Sequence, residues 1–436
     1  MPESRTVAPA RRMAGEIIPP GDKSISHRIA MLASCATGRS EVVGFLRSTD
    51  CLHTLQAMQS LGARADWSGE VLYITGTGGN FMEPVADLDM GNSGTGLRLL
   101  TGLLAGRRVK ATLTGDASLR SRPMGRVREP LAQMGAQIEL AGERGTAPVR
   151  IQGAPLKGIT YEMPVASAQV KSALLLASLY SEGLTIVREP MPTRDHTERL
   201  LEAMNVPVRT TGLNVSLDGG GPDGYPLAAG RWRVPGDMSS AAFAMVAAAA
   251  RPGADLRIRG VGLNPRRTAV IDVLRRMGAD IEVEAADASA GYSEPAGDLR
   301  IRGGALRATE IGGGEIPNLI DELPALAVAA ALAEGETVIR DAAELRVKES
   351  DRIASMAAGL RDMGVDVEEQ PDGLVVRGRA DVRACDRLNS RGDHRVAMSL
   401  AVLALFAPDA SAIGDVECVD TSYPDFWSDL ARISGR

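Results

Sequence analysis

The chain is short of lysine, histidine and cysteine, and each shortage narrows what it can do. Only Lys23, Lys110, Lys157, Lys171 and Lys348 are lysines among 49 basic residues. The net charge of −6 argues against a general binder of nucleic acid or of anionic membrane. Cys35, Cys51, Cys385 and Cys418 are scattered, with no CxxC pair and no disulfide-rich spacing, which fits a reduced cytoplasmic compartment. The four histidines form no HExxH motif and no Cys/His cluster, so no metal site is expected. Apolar runs are too short or too interrupted to span a bilayer. Met1–Arg12 carries arginines but lacks the apolar core of an export signal.

What the chain does contain is repetition. Its 436 residues exceed the usual size of one domain, which makes two the expectation. A helix end, a glycine and a short alternating strand recur at Leu55–Gly62, Leu131–Gly135, Leu274–Gly278 and Leu360–Gly364. A weaker copy at Leu201–Asn205 has asparagine in the glycine position. That position is where helices end in the left-handed conformation. Each copy is followed by a strand closing on glycine, at Gly76, Gly153, Gly219, Gly303 and Gly378, so each pair of strands reads as a hairpin.

A second recurring element is a polar or glycine-rich turn feeding an apolar helix. It occurs at Pro19–Arg28, Asp89–Arg98, Pro164–Lys171, Val234–Ser240, Ile316–Glu322 and Asn389–Arg395. The helices that follow are apolar nearly all round and should be buried. The spacing of roughly seventy to ninety residues is too long for a one-helix solenoid. Six compact α/β units, each with two helices and a small sheet, are therefore expected. Val234-Pro-Gly-Asp-Met-Ser-Ser echoes Pro20-Gly-Asp-Lys-Ser-Ile-Ser, so the first and fourth units begin alike. That echo divides the chain into two domains of three units, residues 20–235 and residues 1–19 plus 236–436. Three units around a pseudo-threefold axis would bundle their helices inside each domain, with the polar helix starts facing an inter-domain cleft. Helix N-termini offer N–H groups and partial positive charge, so such a cleft would trap anions without a basic protein.

The first turn, Pro19-Pro20-Gly21-Asp22-Lys23-Ser24-Ile25-Ser26-His27-Arg28, adds two cations to three candidate caps, Asp22, Ser24 and Ser26. The plainer reading is a solvated, capped turn. Against it stands the similarity of nine ordered stretches to the 5-enolpyruvylshikimate-3-phosphate synthase family. They are Pro20–Arg28, Gly91–Arg98, Ser121–Gly125, Ala166–Ser172, Thr193–Thr197, Ile320–Pro324, Leu345–Arg352, Gly392–Arg395 and Thr421–Asp425. The resemblance implies two inverse α/β domains joined by two crossovers. It implies transfer of the enolpyruvyl group of phosphoenolpyruvate to shikimate 3-phosphate, in aromatic amino-acid biosynthesis. It implies no metal or organic cofactor. A cytoplasmic monomer whose domains close on small-molecule substrates is the expected form.

The resemblance also assigns roles. Lys23 would touch both substrates. Ser24 and Arg28 would bind shikimate 3-phosphate, as would Ser167, Ala168, Gln169, Arg194 and Lys348. Ala168 stands where some relatives carry serine, so a backbone contact at most is expected there. Phosphoenolpyruvate would be held by Gly94, Thr95, Arg122, Gln169, Arg352 and Arg395. Asp321 is the expected base for the attacking hydroxyl and Glu349 the expected proton donor to the methylene, with Lys23 assisting. Lys348, Glu349 and Arg352 fall at i, i+1 and i+4, so a helix there would put Lys348 and Arg352 on one face. The plainer readings are a helix cap for Asp321, a surface ion pair for Arg194 and a solvated charged turn for Leu345–Arg352. Thr421 stands where many relatives have lysine. Gly94 stands where some glyphosate-tolerant relatives have alanine, which implies sensitivity here. Two other readings remain: an enolpyruvyl transferase acting on UDP-N-acetylglucosamine, and a non-catalytic phosphate-binding module. The first resembles a pattern with a reactive cysteine before its Arg-Pro, whereas this loop reads Ser118-Leu-Arg-Ser-Arg122-Pro123.

Overall fold

Each of the six polar turns does lead into a helix with almost no exposed face. In the computed structural model, which describes residues 3–287, 291, 293–378 and 381–435, these helices are Lys23–Cys35, Gly94–Ala105, Ala168–Ser178, Met238–Ala249, Leu323–Ala331 and His394–Ala404. All of Met238–Ala249 is buried. A second, amphipathic helix follows in each unit, at Thr49–Ser60, Gly125–Gln133, His196–Ala203, Ala269–Arg276, Arg352–Asp362 and Phe426–Ile433. Five of these end on a residue with positive φ: Gly62 (107°), Gly135 (101°), Asn205 (62°), Gly278 (99°) and Gly364 (83°). Glycine takes that conformation without steric cost and asparagine with little.

The sheets are larger than the hairpins alone predict. Five have four strands in one pattern, a short first strand parallel to the second, followed by two antiparallel neighbours. Leu88–Asp89, Lys110–Thr114, Val149–Gln152 and Gln137–Leu140 form one example. The short first strands, of two to four residues in Leu88–Asp89, Glu310–Ile311, Thr160–Glu162, Arg231–Arg233 and Ala14–Ile17, carry too little pattern to be read from sequence. In the sixth unit the N-terminal strand Ser4–Val7 pairs antiparallel with Ser411–Gly414, which runs parallel to Leu388–Asn389. The last unit is thus completed by the first strand of the chain.

The chain divides into two compact units, one of residues 1–20, 235–290 and 294–436 and the other of 21–234 with 291–293. The sequence reading gave Gly291 and Ser293 to the other part; instead the Ser293 amide donates to the Arg233 carbonyl at 2.9 Å. In the unit containing both termini, helices Met238–Ala249, Leu323–Ala331 and His394–Ala404 each pack on the other two around one apolar core. In the unit 21–234 the tightest pair is Gly94–Ala105 with Ala168–Ser178. Gly102 makes that approach possible, because a Cβ there would meet the Cα of Ala173 at 2.7 Å. Among the described residues no helix is long and apolar enough to cross a membrane.

The strand-closing glycines share one physical cause. A Cβ at Gly76, Gly153, Gly219, Gly303 or Gly378 would collide with a backbone carbonyl, that of Ala36, Arg107, Ser181, Arg251 or Ala333 respectively. Four of these carbonyls lie just beyond the C-terminus of the unit's buried helix, and Ser181 lies one step further on. Glycine thus lets the last strand seat against the end of the buried helix. Gly303→Ala should therefore lower stability by about 1–3 kcal/mol, the usual range for overpacking, as measured by thermal or urea denaturation. A change below about 0.5 kcal/mol, the level of a neutral surface substitution, would refute this account.

Candidate functional site

In the unit 21–234 the first turn is built as a capped helix start. The Asp22 carboxylate accepts the Ile25 amide at 2.9 Å, so Lys23 is the first helical residue. Of the other candidate caps, Ser26 instead accepts the Leu46 amide at 3.0 Å. Lys23 pairs with the buried carboxylate of Asp50 and keeps 17% of its side chain exposed. Arg28 is buried, and its guanidinium donates to the Ser24 carbonyl (2.9 Å), the Ser172 hydroxyl (2.7 Å) and the Thr197 hydroxyl (2.7 Å).

The glycine-rich turn is braced by arginines. Ser93 caps its helix by accepting the Gly96 amide at 2.9 Å. Gly94 lies against two guanidiniums, for a Cβ there would sit 3.0 Å from Arg98 Nη1 and 3.2 Å from Arg122 Nη1. Arg122 is buried and donates to Asn92 Oδ1 at 2.5 Å and Ser118 Oγ at 3.2 Å, whereas Arg120 is exposed. Gln169 accepts from Arg98 at 2.6 Å and donates to Thr95 Oγ1 at 3.0 Å. Ser167 caps the helix that begins at Ala168, accepting the Val170 amide at 3.4 Å. Thr95 and Gln169 are thus hydrogen-bonded to each other, while Arg98 and Arg122 both lie against Gly94. Arg194 lies on the segment before His196–Ala203, where Asp195 pairs with Arg199 at 3.0 Å and Glu198 with Lys171 at 2.7 Å.

His27 ties the two turns of this unit together. Its ring is fully buried, with Nδ1 2.7 Å from Thr54 Oγ1 and Nε2 3.2 Å from Ser93 Oγ. Burial, then the neighbouring charges of Lys23 and Arg28, pull its pKa well below the ordinary 6.5.

In the other unit a single carboxylate gathers three cations. Asp321 Oδ1 lies 3.2 Å from Arg352 Nη1, 3.8 Å from Lys348 Nζ and 3.8 Å from Arg395 Nε. Arg395 Nη1 also donates to the Asp321 carbonyl at 2.9 Å. Arg352 is 1% exposed and pairs with Glu349 at 2.5 Å and with Asp393 at 2.8 Å. Burial opposes the Arg352 charge, yet Asp393, Glu349 and Asp321 together raise its pKa above the ordinary arginine value. Asp393 also caps the helix His394–Ala404 through the amides of Arg395 and Val396. Lys348 keeps 24% of its side chain exposed. Burial of its ammonium and the Arg352 charge pull its pKa down, with Asp321 opposing.

A conditional reading and a plainer one both fail here. Lys348 and Arg352 do not share a helix: Ala343–Val347 is a 3-10 turn, Lys348 is extended, and a new helix starts at Arg352 with Asp351 as its cap. The two side chains converge because both reach Asp321, not because of helical spacing. Asp321 does not cap a helix either, since it lies in the break between Ile316–Leu319 and Leu323–Ala331, with Glu322 at the N-cap position. The charged turn is partly exposed, and Arg346 holds it to the hairpin beyond through the Pro371 carbonyl (2.7 Å) and Glu369 (3.0 Å). Thr421, where relatives have lysine, turns its hydroxyl to the Cys418 carbonyl at 2.6 Å.

Sequence reasoning missed Asp50 and Arg98. Asp50 follows Ser48-Thr49 at a helix start and reads as an ordinary first-turn acid; only its burial under Lys23 marks it out. Arg98 stands inside a recognised stretch, but its partner Gln169 is 71 residues away. Among the described residues, no group of three His, Cys, Asp or Glu side chains could hold a metal ion.

The His27 arrangement has a measurable consequence. The folded state keeps this ring neutral where the unfolded chain binds a proton, so stability should fall as pH drops below about 6.5. The contribution is at most about 1.4 kcal/mol per pH unit for one proton. Unfolding titrated between pH 7 and pH 5 should show a shallower fall for His27→Gln than for the unaltered chain. Equal slopes would contradict the buried neutral ring.

Comparison with known proteins agrees with these features over the whole chain. The family model described as EPSP synthase (3-phosphoshikimate 1-carboxyvinyltransferase) matches residues 7–430. A 3-phosphoshikimate 1-carboxyvinyltransferase of Methylococcus capsulatus is 53% identical over 99% of this chain and 97% of its own. Another, from Citrifermentans bemidjiense, is 51% identical over 100% of both chains. The solved structure of EPSP synthase from Acinetobacter baumannii superposes with a TM-score of 0.86 at 44% identity, covering 99% of this chain and 98% of that one. The enolpyruvyl transferase NikO from Streptomyces tendae, at 19% identity and a TM-score of 0.80 over 99% and 98% of the two chains, shares the fold. With this match in sequence and architecture, the chain belongs to the EPSP synthase (3-phosphoshikimate 1-carboxyvinyltransferase) family.

Proposed function

We propose that this enzyme transfers the enolpyruvyl group of phosphoenolpyruvate to the hydroxyl of shikimate 3-phosphate through the residues described above, releasing phosphate. The observation that carries the assignment of roles is the Asp321 carboxylate held among Lys348, Arg352 and Arg395. These cations are balanced by Asp321, Glu349 and Asp393, and two anionic substrates would compete with those carboxylates for them. Asp321 takes the proton of the attacking hydroxyl, whose oxygen bonds to C2 of phosphoenolpyruvate while C3 gains a proton from Glu349. Phosphoenolpyruvate offers Arg352 an anionic partner in place of Glu349, which frees Glu349 to carry that proton. The tetrahedral adduct then returns a proton from C3 to the Glu349 carboxylate as the bond from C2 to the phosphate oxygen breaks, and phosphate leaves.

Lys23, Ser24, Arg28, Ser167, Ala168, Gln169, Arg194, Asp321 and Lys348 bind shikimate 3-phosphate in this reading. Gly94, Thr95, Arg122, Gln169, Arg352 and Arg395 bind phosphoenolpyruvate, with Lys23 contributing to both. Lys23 exchanges Asp50 for substrate charge much as Arg352 exchanges Glu349. The reading is of a monomeric cytoplasmic enzyme working without metal or organic cofactor.

Phosphate release that requires both substrates tests the reaction, and turnover with UDP-N-acetylglucosamine in place of shikimate 3-phosphate would overturn it. Asp321→Asn should lower kcat by about 100-fold or more, in the range for loss of a general base, with KM little changed. Arg122→Ala should act mainly through KM for phosphoenolpyruvate; an effect confined to shikimate 3-phosphate would contradict its role. Because Gly94 keeps the space where a Cβ would press on Arg98 and Arg122, glyphosate should inhibit well below millimolar concentration. Inhibition only at millimolar levels would refute that expectation.

A further inference from the structure

The fourth helix start echoes the first in sequence, yet the proposed chemistry leaves it without a role. Asp237 occupies the place of Asp22 and accepts the Ser239 amide at 2.7 Å, while Met238 replaces Lys23. The cation comes instead from Arg267, 3% exposed, which donates to Ser239 Oγ at 2.7 Å and to Asp237 Oδ1 at 3.2 Å. The anion at this helix start is internal. The Glu322 side chain is wholly buried, its Oε1 accepts the Ser239 hydroxyl, and Arg267 Nη2 lies 3.6 Å away.

Glu322 immediately follows Asp321, which sits in a break between two helices; the Glu322 amide donates to the Leu319 carbonyl at 2.8 Å and its carbonyl accepts the Leu326 amide at 3.0 Å. The Asp321 carbonyl is held from one side by Arg395 at 2.9 Å. The next side chain is held from another side by Ser239 and Arg267. Buried ion pairs add little net stability over apolar groups of the same shape. What they do supply is fixed orientation, and orientation of a base matters greatly for rate.

We propose that Glu322 is a positioning residue for Asp321, and that Ser239 and Arg267 at the fourth helix start form the socket that holds it. The proposal rests on the reading of Asp321 as the base. Glu322 touches no substrate in it and acts only through its neighbour.

The test compares Asp321→Asn, Glu322→Gln and Ser239→Ala in the full chain, by kcat, both KM values, the pH dependence of kcat and the melting temperature. Glu322→Gln should lower kcat about 10- to 100-fold, the scale of a small misplacement of a reacting group, with both KM values within about twofold. Ser239→Ala removes one hydroxyl and no charge, and should lower kcat about three- to tenfold in the same pattern, as loss of a single hydrogen bond does. Both variants should shift the acidic limb of the kcat profile, which a purely structural role would leave in place. The double variant should lose no more than Glu322→Gln alone, since the two groups act as one unit. If Glu322→Gln does not fold, Ser239→Ala decides the matter. Loss of kcat in Asp321→Asn with unchanged kcat in the folded socket variants overturns the positioning role alone. Unchanged kcat in Asp321→Asn overturns the base assignment and the proposal with it.

Discussion

A helix without a polar face can persist only where other elements surround it, and six such helices dictate the rest of this structure. Met238–Ala249 buries every side chain, so no orientation of it could face water. Its neighbours Leu323–Ala331 and His394–Ala404 are under the same constraint, and the three satisfy it by packing on one another. The sheets close over them, and glycine at the end of the last strand lets that strand reach the end of the helix. Apolar burial fixes the helix axes and therefore the helix ends. Polar chemistry is left to the turns, where N–H groups need partners in any case.

At those turns the enzyme keeps its cations beside its own carboxylates. Lys23 has Asp50, Arg352 has Glu349, Asp393 and Asp321, and Arg395 has Asp321. This explains how a protein of net charge −6 can serve polyanionic substrates. The positive charge is local, aimed and already balanced, so in the proposed reading binding would exchange one set of anions for another instead of neutralising a bare field. Such exchange would also give the acids the function proposed for Glu349, because a carboxylate released by its arginine is ready to handle a proton. The fourth helix start follows the same principle with a wholly buried anion, Glu322.

Much of this was legible in the residues because much of it is local. Positive φ at Gly62, Gly135, Asn205, Gly278 and Gly364 answers to the helix ending just before each of them, and the sequence pattern contains both. Asp22 and Ser93 cap helices through amides three residues on, a contact set by chain geometry alone. The stretch from Lys348 to Arg352 is not the helix its spacing would allow, for the converse reason. Its spacing suits a helix, but the Asp351 cap and the hold of Arg346 on the neighbouring hairpin break it there. Distant partners outweigh local propensity at that point.

The sequence by itself determined the number of repeats, the buried helices, several of their caps, the glycine or asparagine that ends five of the amphipathic helices, and the residues available for chemistry. All of these follow from periodicity and from contacts within a turn or two. Tertiary structure alone decided which charge meets which. Arg352 and Arg395 reach Asp321 from 31 and 74 residues away, and Lys23 finds Asp50 on the next helix. It also decided that Ser4–Val7 completes the last sheet, at the far end of the chain. Many acids in the chain could pair with any one arginine. The packing of apolar helices, which carries no record of those charges, selects the ones that do.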